Sequence, residues 1–311
     1  MRKTAFLFPG QGAQNVGMGR SFYEKYDAVR QYFKTAQEVT GIDVASLCFE
    51  ENEALNQTEY TQIAMYTTEC AILNVLQEKG IPYEAAAGLS LGEYAALTAA
   101  GALSFKDGCY VIRRRGIYME QAVPEGQGSM AAVLGLSAKQ TEEVLKTSLD
   151  TAKIGIANYN CPGQIVISGK KEAVEAAAES LKAAGAKRVI PLKVSGPFHS
   201  RMLTEAGKKL GQVLENVSVS KPQIPYVANV TAQYVTDAES VKPLLEKQVS
   251  SSVRWQQSVE MMIADGVDTF IEIGPGKTLS GFMKKINRNV TVLNIEKMED
   301  VEACAECLQT K

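Results

Sequence analysis

Residues Gly88-Leu89-Ser90-Leu91-Gly92 spell G-x-S-x-G, the pattern of a serine carried on a strained strand-to-helix turn. Glycine is required at both ends because side chains there would collide with neighbouring backbone. Such a turn lifts the hydroxyl above a sheet and aims the N–H of the next residue, Leu91, at a developing oxyanion. The helix N-terminus behind it adds partial positive charge. A serine hydroxyl is a poor nucleophile until a base removes its proton. The chain contains a single histidine, His199, within Ser195-Gly196-Pro197-Phe198-His199-Ser200, so any step that needs an imidazole uses it. Ser90 as nucleophile and His199 as general base imply attack on an acyl carbonyl through a covalent acyl-serine. A base histidine is oriented by an acceptor on its other nitrogen, either a carboxylate or a backbone carbonyl. Spacing alone singles out no Asp or Glu for that place.

Arg115 is the third residue of interest. The run from Lys106 to Ala122 reads as a helix, and Val111, Arg115, Met119 and Ala122 follow the three-to-four spacing of one stripe. An arginine on an apolar stripe needs an anionic partner. A substrate carboxylate held bidentately is one partner and an internal Asp or Glu is the other. Arg113 and Arg114 are rivals from the same run. Two other motifs do not complete. Gly276-Lys277-Thr278 ends like a phosphate-binding loop, but the required earlier glycine is Ile271. Gly10-Gln11-Gly12 begins like G-x-G-x-x-G, but position 15 is Asn. Both read as tight turns at strand ends, where ligands gather at the carboxyl edge of a parallel sheet.

The elements needed to position these groups are legible in outline. Thr4 to Phe8 reads as a buried strand that runs into a Gly-rich loop. Helical periodicity follows from Gly19 to Val39 and from Thr61 to Lys79. Ala85 to Leu89, the turn at Ser90 and the helix formers Leu91 to Ala100 make strand, elbow and helix. Ser104 reads as the N-cap of the Arg115 helix. The composition breaks at Pro124-Glu125-Gly126-Gln127-Gly128, and a β-α-β-β-α-β order follows. Its strands are Ser129 to Leu134, Lys153 to Ala157, Gln164 to Ser168 and Lys187 to Leu192, with helices from Ser137 to Thr147 and Lys171 to Ala184. That is the split unit of ferredoxin-like domains, so residues 127–195 are expected to form a small inserted domain. Beyond it His199 is expected to open a helix to Leu214. A strand Ile224 to Asn229, helices Val241 to Gln248 and Trp255 to Ala264, and strands Val267 to Ile273 and Val290 to Ile295 complete the pattern. Strands alternating with helices imply a mostly parallel sheet covered on both faces, an α/β fold.

The composition excludes several classes. With 311 residues, 45% hydrophobic and 22% charged, the chain reads as an ordinary globular protein with a sizeable core. A net charge of -2 leaves no global basic field, so no nucleic-acid partner is expected. The first apolar run, Ala5 to Phe8, is too short for the core of a signal peptide, and no later run is long enough to span a bilayer. A cytoplasmic location without membrane attachment is the expectation. The six cysteines are scattered and read as reduced thiols. Cys304-x-x-Cys307 lacks a second pair, so no metal site is expected, and the segment Val301 to Leu308 reads as a small amphipathic helix.

These residues together resemble the malonyl-CoA:acyl carrier protein transacylase family. The resemblance runs through Phe8-Pro9-Gly10-Gln11-Gly12, the elbow Gly88 to Glu93, Arg115-Gly116 and Asn158-Tyr159-Asn160-Cys161-Pro162-Gly163-Gln164. It continues through Val166-Ile167-Ser168-Gly169, Gly196-Pro197-Phe198-His199-Ser200, Val253-Arg254-Trp255 and Glu272-Ile273-Gly274-Pro275-Gly276. It implies an α/β-hydrolase-like large domain, residues 1–126 and 196–311, with a ferredoxin-like insertion at 127–195. It implies ping-pong transfer of malonyl from malonyl-CoA, through a malonyl-Ser90 ester, to the phosphopantetheine thiol of acyl carrier protein, without a cofactor, in fatty acid biosynthesis. Gln11 resembles the second oxyanion contributor beside Leu91, each through its backbone N–H. Arg115 resembles the arginine that pairs with the malonyl carboxylate, and Gln248 the residue that accepts a hydrogen bond from the histidine. Phe198 resembles the malonyl-selecting form of its motif. Leu89 departs from the family, which usually has His there.

Two other functions share these features. An esterase or thioesterase would use the same elbow but deliver water, and a carrier-protein-binding module would not need Ser90. Arg115 separates the first, since it suits a short acyl group that ends in a carboxylate. Basic clusters at Lys187-Arg188 and Lys284-Lys285-Arg288 are candidate contacts for an acidic carrier protein.

Overall fold

The computed structural model describes residues 3–309. Met1, Arg2, Thr310 and Lys311, the outer ends of the expected large domain, lie outside the described residues. The strands are β1 Thr4–Phe8, β2 Ala85–Gly88, β3 Gly128–Leu134, β4 Ile154–Cys161, β5 Gln164–Lys170, β6 Arg188–Pro191, β7 Tyr226–Ala228, β8 Gln233–Val235, β9 Thr269–Ile273 and β10 Thr291–Ile295. They form two sheets.

The larger sheet has the order β10-β9-β1-β2-β7-β8. Every pairing in it is parallel except the β7–β8 hairpin. β1 and β9 are buried along their whole length, as central strands of a parallel sheet must be when helices cover both faces. Successive side chains of β1 serve opposite faces. Phe6 and Phe8 enter the core under the helices Thr58–Glu78, Gly92–Ala99 and Phe105–Gln121, whereas Ala5 and Leu7 meet Trp255, Met262 and Leu279 on the other side. Phe8 pairs with Gly88 in register. The loop after β1 and the elbow after β2 therefore leave the sheet side by side at its carboxyl edge, where open parallel sheets gather their ligands.

The smaller sheet, β4-β5-β3-β6, is antiparallel throughout. It carries the helices Ala138–Ser148 and Lys171–Ala183 over its own core of Val133, Leu145, Ile165, Ile167 and Leu181. Its strand order is that of the ferredoxin-like split unit. The first of its helices starts with a full capping box, Ser137 with Gln140. Backbone hydrogen bonds join this sheet to the larger body: Val253 donates to the Ala157 carbonyl at 2.8 Å, and Tyr159 donates to the Val253 carbonyl at 2.9 Å.

Several elements differ from expectation. The helix expected from Gly19 to Val39 is two helices, Arg20–Lys25 and Asp27–Thr40, because Tyr26 is extended (φ -120°, ψ 125°) between them. His199 does not open a helix; it sits in a turn with φ 56°. A short 3₁₀ turn, Arg201–Leu203, and then the helix Thr204–Glu215 follow it. The helices Val44–Phe49 and Thr278–Ile286 and the strand β8 carry no counterpart in the sequence reading. The first of these is six residues long and its signal is confined to the Asp43 cap, which accepts from Ser46 N–H at 3.0 Å.

Candidate active site

The elbow is built from close backbone approach. A Cβ on Gly88 would lie 1.9 Å from the carbonyl of Gly92, and one on Gly92 would lie 2.2 Å from the Phe8 carbonyl oxygen. No side chain fits in either place. Ser90 between them takes φ 57°, and of the described residues only Ser90, His199 and Ala232 combine a side chain with positive φ. Such conformations cost on the order of 1–3 kcal/mol each and persist where the surroundings over-determine them. Around Ser90 that restraint is visible. Asn229, just beyond the end of β7, accepts from Ser90 N–H at 2.7 Å and donates to the Gly88 carbonyl at 2.7 Å. Both sides of the strained residue are thereby held by one amide.

Ser90 Oγ lies 2.8 Å from His199 Nε2. His199 Nδ1 lies 2.8 Å from the Gln248 carbonyl and 3.1 Å from that of Ser251. Carbonyls only accept, so Nδ1 carries the proton and Nε2 is left as the acceptor for the serine hydroxyl. The orienting acceptors are backbone carbonyls, not a carboxylate. His199 is buried, and its pKa is lowered from 6.5 to about 4, by burial first and by the charge of Arg115 second, against the opposing pull of the two carbonyls. The imidazole is therefore neutral, and competent as a base, throughout the physiological range.

Arg115 projects from the helix Phe105–Gln121, which Ser104 caps by accepting from Asp107 N–H. It is 1% exposed. Its Nη1 donates to Gln62 Oε1 at 2.7 Å, and its Nη2 donates to Gln248 Oε1 at 2.8 Å and to Ser90 Oγ at 3.1 Å. The guanidinium carbon lies 5.4 Å from the centroid of the Tyr94 ring. No carboxylate among the described residues forms an ion pair with it. The rival arginines are committed elsewhere: Arg113 pairs with Glu59 at 2.9 Å, and Arg114 lies over Tyr110. Burial without a counter-ion lowers the Arg115 pKa, yet a guanidinium keeps its charge in proteins. The cation is thus buried, unpaired and within hydrogen-bonding distance of the serine hydroxyl, which is where a short acyl chain ending in a carboxylate would place its charge.

A cleft of about 220 Å³ opens over Ser90 and His199, with Gln11, Leu89, Leu91 and Phe198 among its walls. The backbone N–H groups of Gln11 and Leu91 take part in no hydrogen bond among the described residues. Two free donors beside the serine are what an oxyanion needs. The Gln11 side chain is anchored away, donating to Thr58 Oγ1 at 3.0 Å.

Sequence reading did not single out Gln62, Asn229 or Glu93 for a role. Glu93 is wholly buried, and its Oε2 accepts from Gln248 Nε2 at 2.7 Å and Asn229 N–H at 3.2 Å. Burial raises its pKa to about 7, against those two hydrogen bonds and the charge of Arg115. The available signal for Gln62 and Glu93 was their polarity inside two helices that are otherwise buried on nearly every face.

Residues 5–304 match the acyl transferase domain family. The chain is 46% identical to a malonyl CoA-acyl carrier protein transacylase of Bacillus subtilis, over 99% of this chain and 98% of that one. It is 44% identical to the protein of that name from Staphylococcus aureus, over 98% and 99%. Among solved structures, a malonyl CoA-acyl carrier protein transacylase from Clostridium perfringens superposes with a TM-score of 0.95 at 45% identity, covering 99% of this chain and 97% of that one. A malonyl-transacylase in complex with its type II PKS acyl-carrier protein gives a TM-score of 0.95 at 38% identity, over 98% and 99%.

Proposed function

This chain belongs to the acyl transferase family, and from that premise we propose that it moves malonyl from malonyl-CoA to acyl carrier protein, with Ser90 as nucleophile and His199 as general base. The observation that carries the reading is Arg115: a buried cation without an ion pair among the described residues, 3.1 Å from Ser90 Oγ.

In the first half-reaction the Ser90 Oγ–H proton passes to His199 Nε2 as Oγ attacks the thioester carbonyl. The developing oxyanion meets the N–H groups of Leu91 and Gln11, which need no reorganisation to receive it. The tetrahedral intermediate collapses, the C–S bond breaks, and the CoA thiolate takes the proton back from His199. The product is a malonyl-Ser90 ester whose free carboxylate pairs with Arg115. In the second half-reaction His199 accepts the proton of the phosphopantetheine thiol, the thiolate attacks the ester carbonyl, and Ser90 leaves as its hydroxyl. One imidazole, turned by the Gln248 and Ser251 carbonyls, serves both halves because each begins with a proton arriving at Nε2.

The division into 1–126 with 196–311 and 127–195 is proposed with it, supported by a smaller sheet whose strands all fall within 128–191. The proposed setting is fatty acid biosynthesis, from the family resemblance, in the cytoplasm, from the shortness of the first apolar run, Ala5 to Phe8. No helix of the described residues is long and apolar enough to cross a membrane. The test is a transfer assay with malonyl-CoA and a holo acyl carrier protein, with Ser90→Ala as control. Transfer by the native chain and none by the variant is expected; equal rates would overturn the assignment of Ser90.

A further inference from the structure

The side chain of Gln248 stands where no sequence pattern placed it: between the unpaired Arg115 and the buried carboxyl of Glu93. Its amide oxygen accepts from Arg115 Nη2 at 2.8 Å, and its amide nitrogen donates to Glu93 Oε2 at 2.7 Å and to the Ser90 carbonyl at 2.8 Å. This orientation is chemically forced. A guanidinium only donates, so the oxygen must face it; a carbonyl only accepts, so the nitrogen must face Ser90. Gln248 is fully buried at the end of the helix Val241–Gln248, and its own carbonyl holds His199. A carboxylate in its place would neutralise Arg115 from within, and an incoming carboxylate would then have to displace an existing buried pair. A neutral amide fixes the direction of the guanidinium and leaves its charge unspent.

We propose that the Gln248 side chain is a neutral spacer that keeps Arg115 from pairing with Glu93, so that selection of a carboxylate-bearing acyl group depends on Gln248 as much as on Arg115. The inference rests on the reading of Arg115 given above. It makes Gln248 a positioning residue, acting through Arg115 and not on the substrate.

The test moves one charge without changing the composition. In the double variant Glu93→Gln/Gln248→Glu the acid sits beside Arg115 and the amide sits where the acid was, with a hydrogen bond still available between positions 93 and 248. The readout is the ratio of kcat/KM for malonyl-CoA to that for acetyl-CoA at pH 8. Damage to the elbow, including the lost donor to the Ser90 carbonyl, falls on both donors and cancels in that ratio. The preference for malonyl is expected to fall about 100-fold, the scale of one buried charge pair gained internally. An unchanged ratio overturns the proposal. Should the exchange not yield folded protein, Gln248→Met keeps the bulk without any of the three side-chain hydrogen bonds and lets Arg115 turn to Glu93. A fall of about tenfold is expected there, and an unchanged ratio again overturns the idea. Arg115→Ala separates the two readings. If it leaves the malonyl preference intact, the carboxylate role of Arg115 is wrong. If it removes the preference while the Gln248 variants keep it, the spacer alone is wrong.

Discussion

Replacing Arg115 with Met should move the acid limit of catalysis upward. With neutral His199 as the proposed base, the rate of acylation falls as pH drops through the pKa of that imidazole. Burial is the first cause that brings it to about 4 and the charge of Arg115 the second. Arg115 Nη2 and His199 Nε2 lie 3.1 Å and 2.8 Å from the same Ser90 Oγ, which puts the two charges within about 6 Å of each other. At about 6 Å and an effective dielectric of about 20 that repulsion amounts to roughly 3 kcal/mol, or about two pKa units. Neighbouring amides and solvent at the cleft reduce it, and a shift of about one unit is expected. The assay is single-turnover acylation by acetyl-CoA, whose transfer does not need Arg115, in acid-quenched mixtures across the acidic range. The native rate should be flat above about pH 5 and fall tenfold per unit below its midpoint. The Arg115→Met profile should keep that shape with its midpoint about one unit higher. A midpoint that stays in place, or moves down, would refute the electrostatic account of His199.

Two further outcomes follow from the buried polar network. Burial holds the Glu93 pKa at about 7 in the fold against an ordinary 4.5, so the unfolded chain releases its proton first. The native state then loses stability as pH rises from about 4.5 to 7, by about 3 kcal/mol in all; urea unfolding of Glu93→Gln should lack that slope, and parallel curves for the two proteins would contradict it. Asn229→Ala leaves Ser90 N–H and the Gly88 carbonyl without their partner, which should cost about 2–4 kcal/mol in chemical denaturation and lower acylation about tenfold or more; near-native values for both would mean that the elbow holds its shape unaided.

The parts of this molecule legible in sequence are those with local causes. The elbow follows from two glycines that no side chain can replace, and the Arg115 helix from a serine cap and an apolar stripe. The small domain follows from its alternation of elements. What escaped depends on contacts between distant segments. Gln62 and Asn229 reach Arg115 and Ser90 across 53 and 139 positions of chain, and no spacing rule spans that. Helix formers follow His199 closely and give its position a helical pattern, whereas in the fold it takes φ 56° with its imidazole against the carbonyls of Gln248 and Ser251. Of the two partners open to Arg115 in the sequence, an internal carboxylate forms no ion pair with it among the described residues, and a substrate carboxylate is the one proposed.

The central claim is that malonyl passes through an ester on Ser90, and intact-protein mass after mixing with malonyl-CoA tests it most directly. The account predicts one malonyl adduct on the native chain, mapped to the peptide bearing Ser90, absent from Ser90→Ala, and discharged by a carrier-protein thiol faster than by water. An adduct that Ser90→Ala retains, or one lost to water before the thiol can take it, would contradict the account.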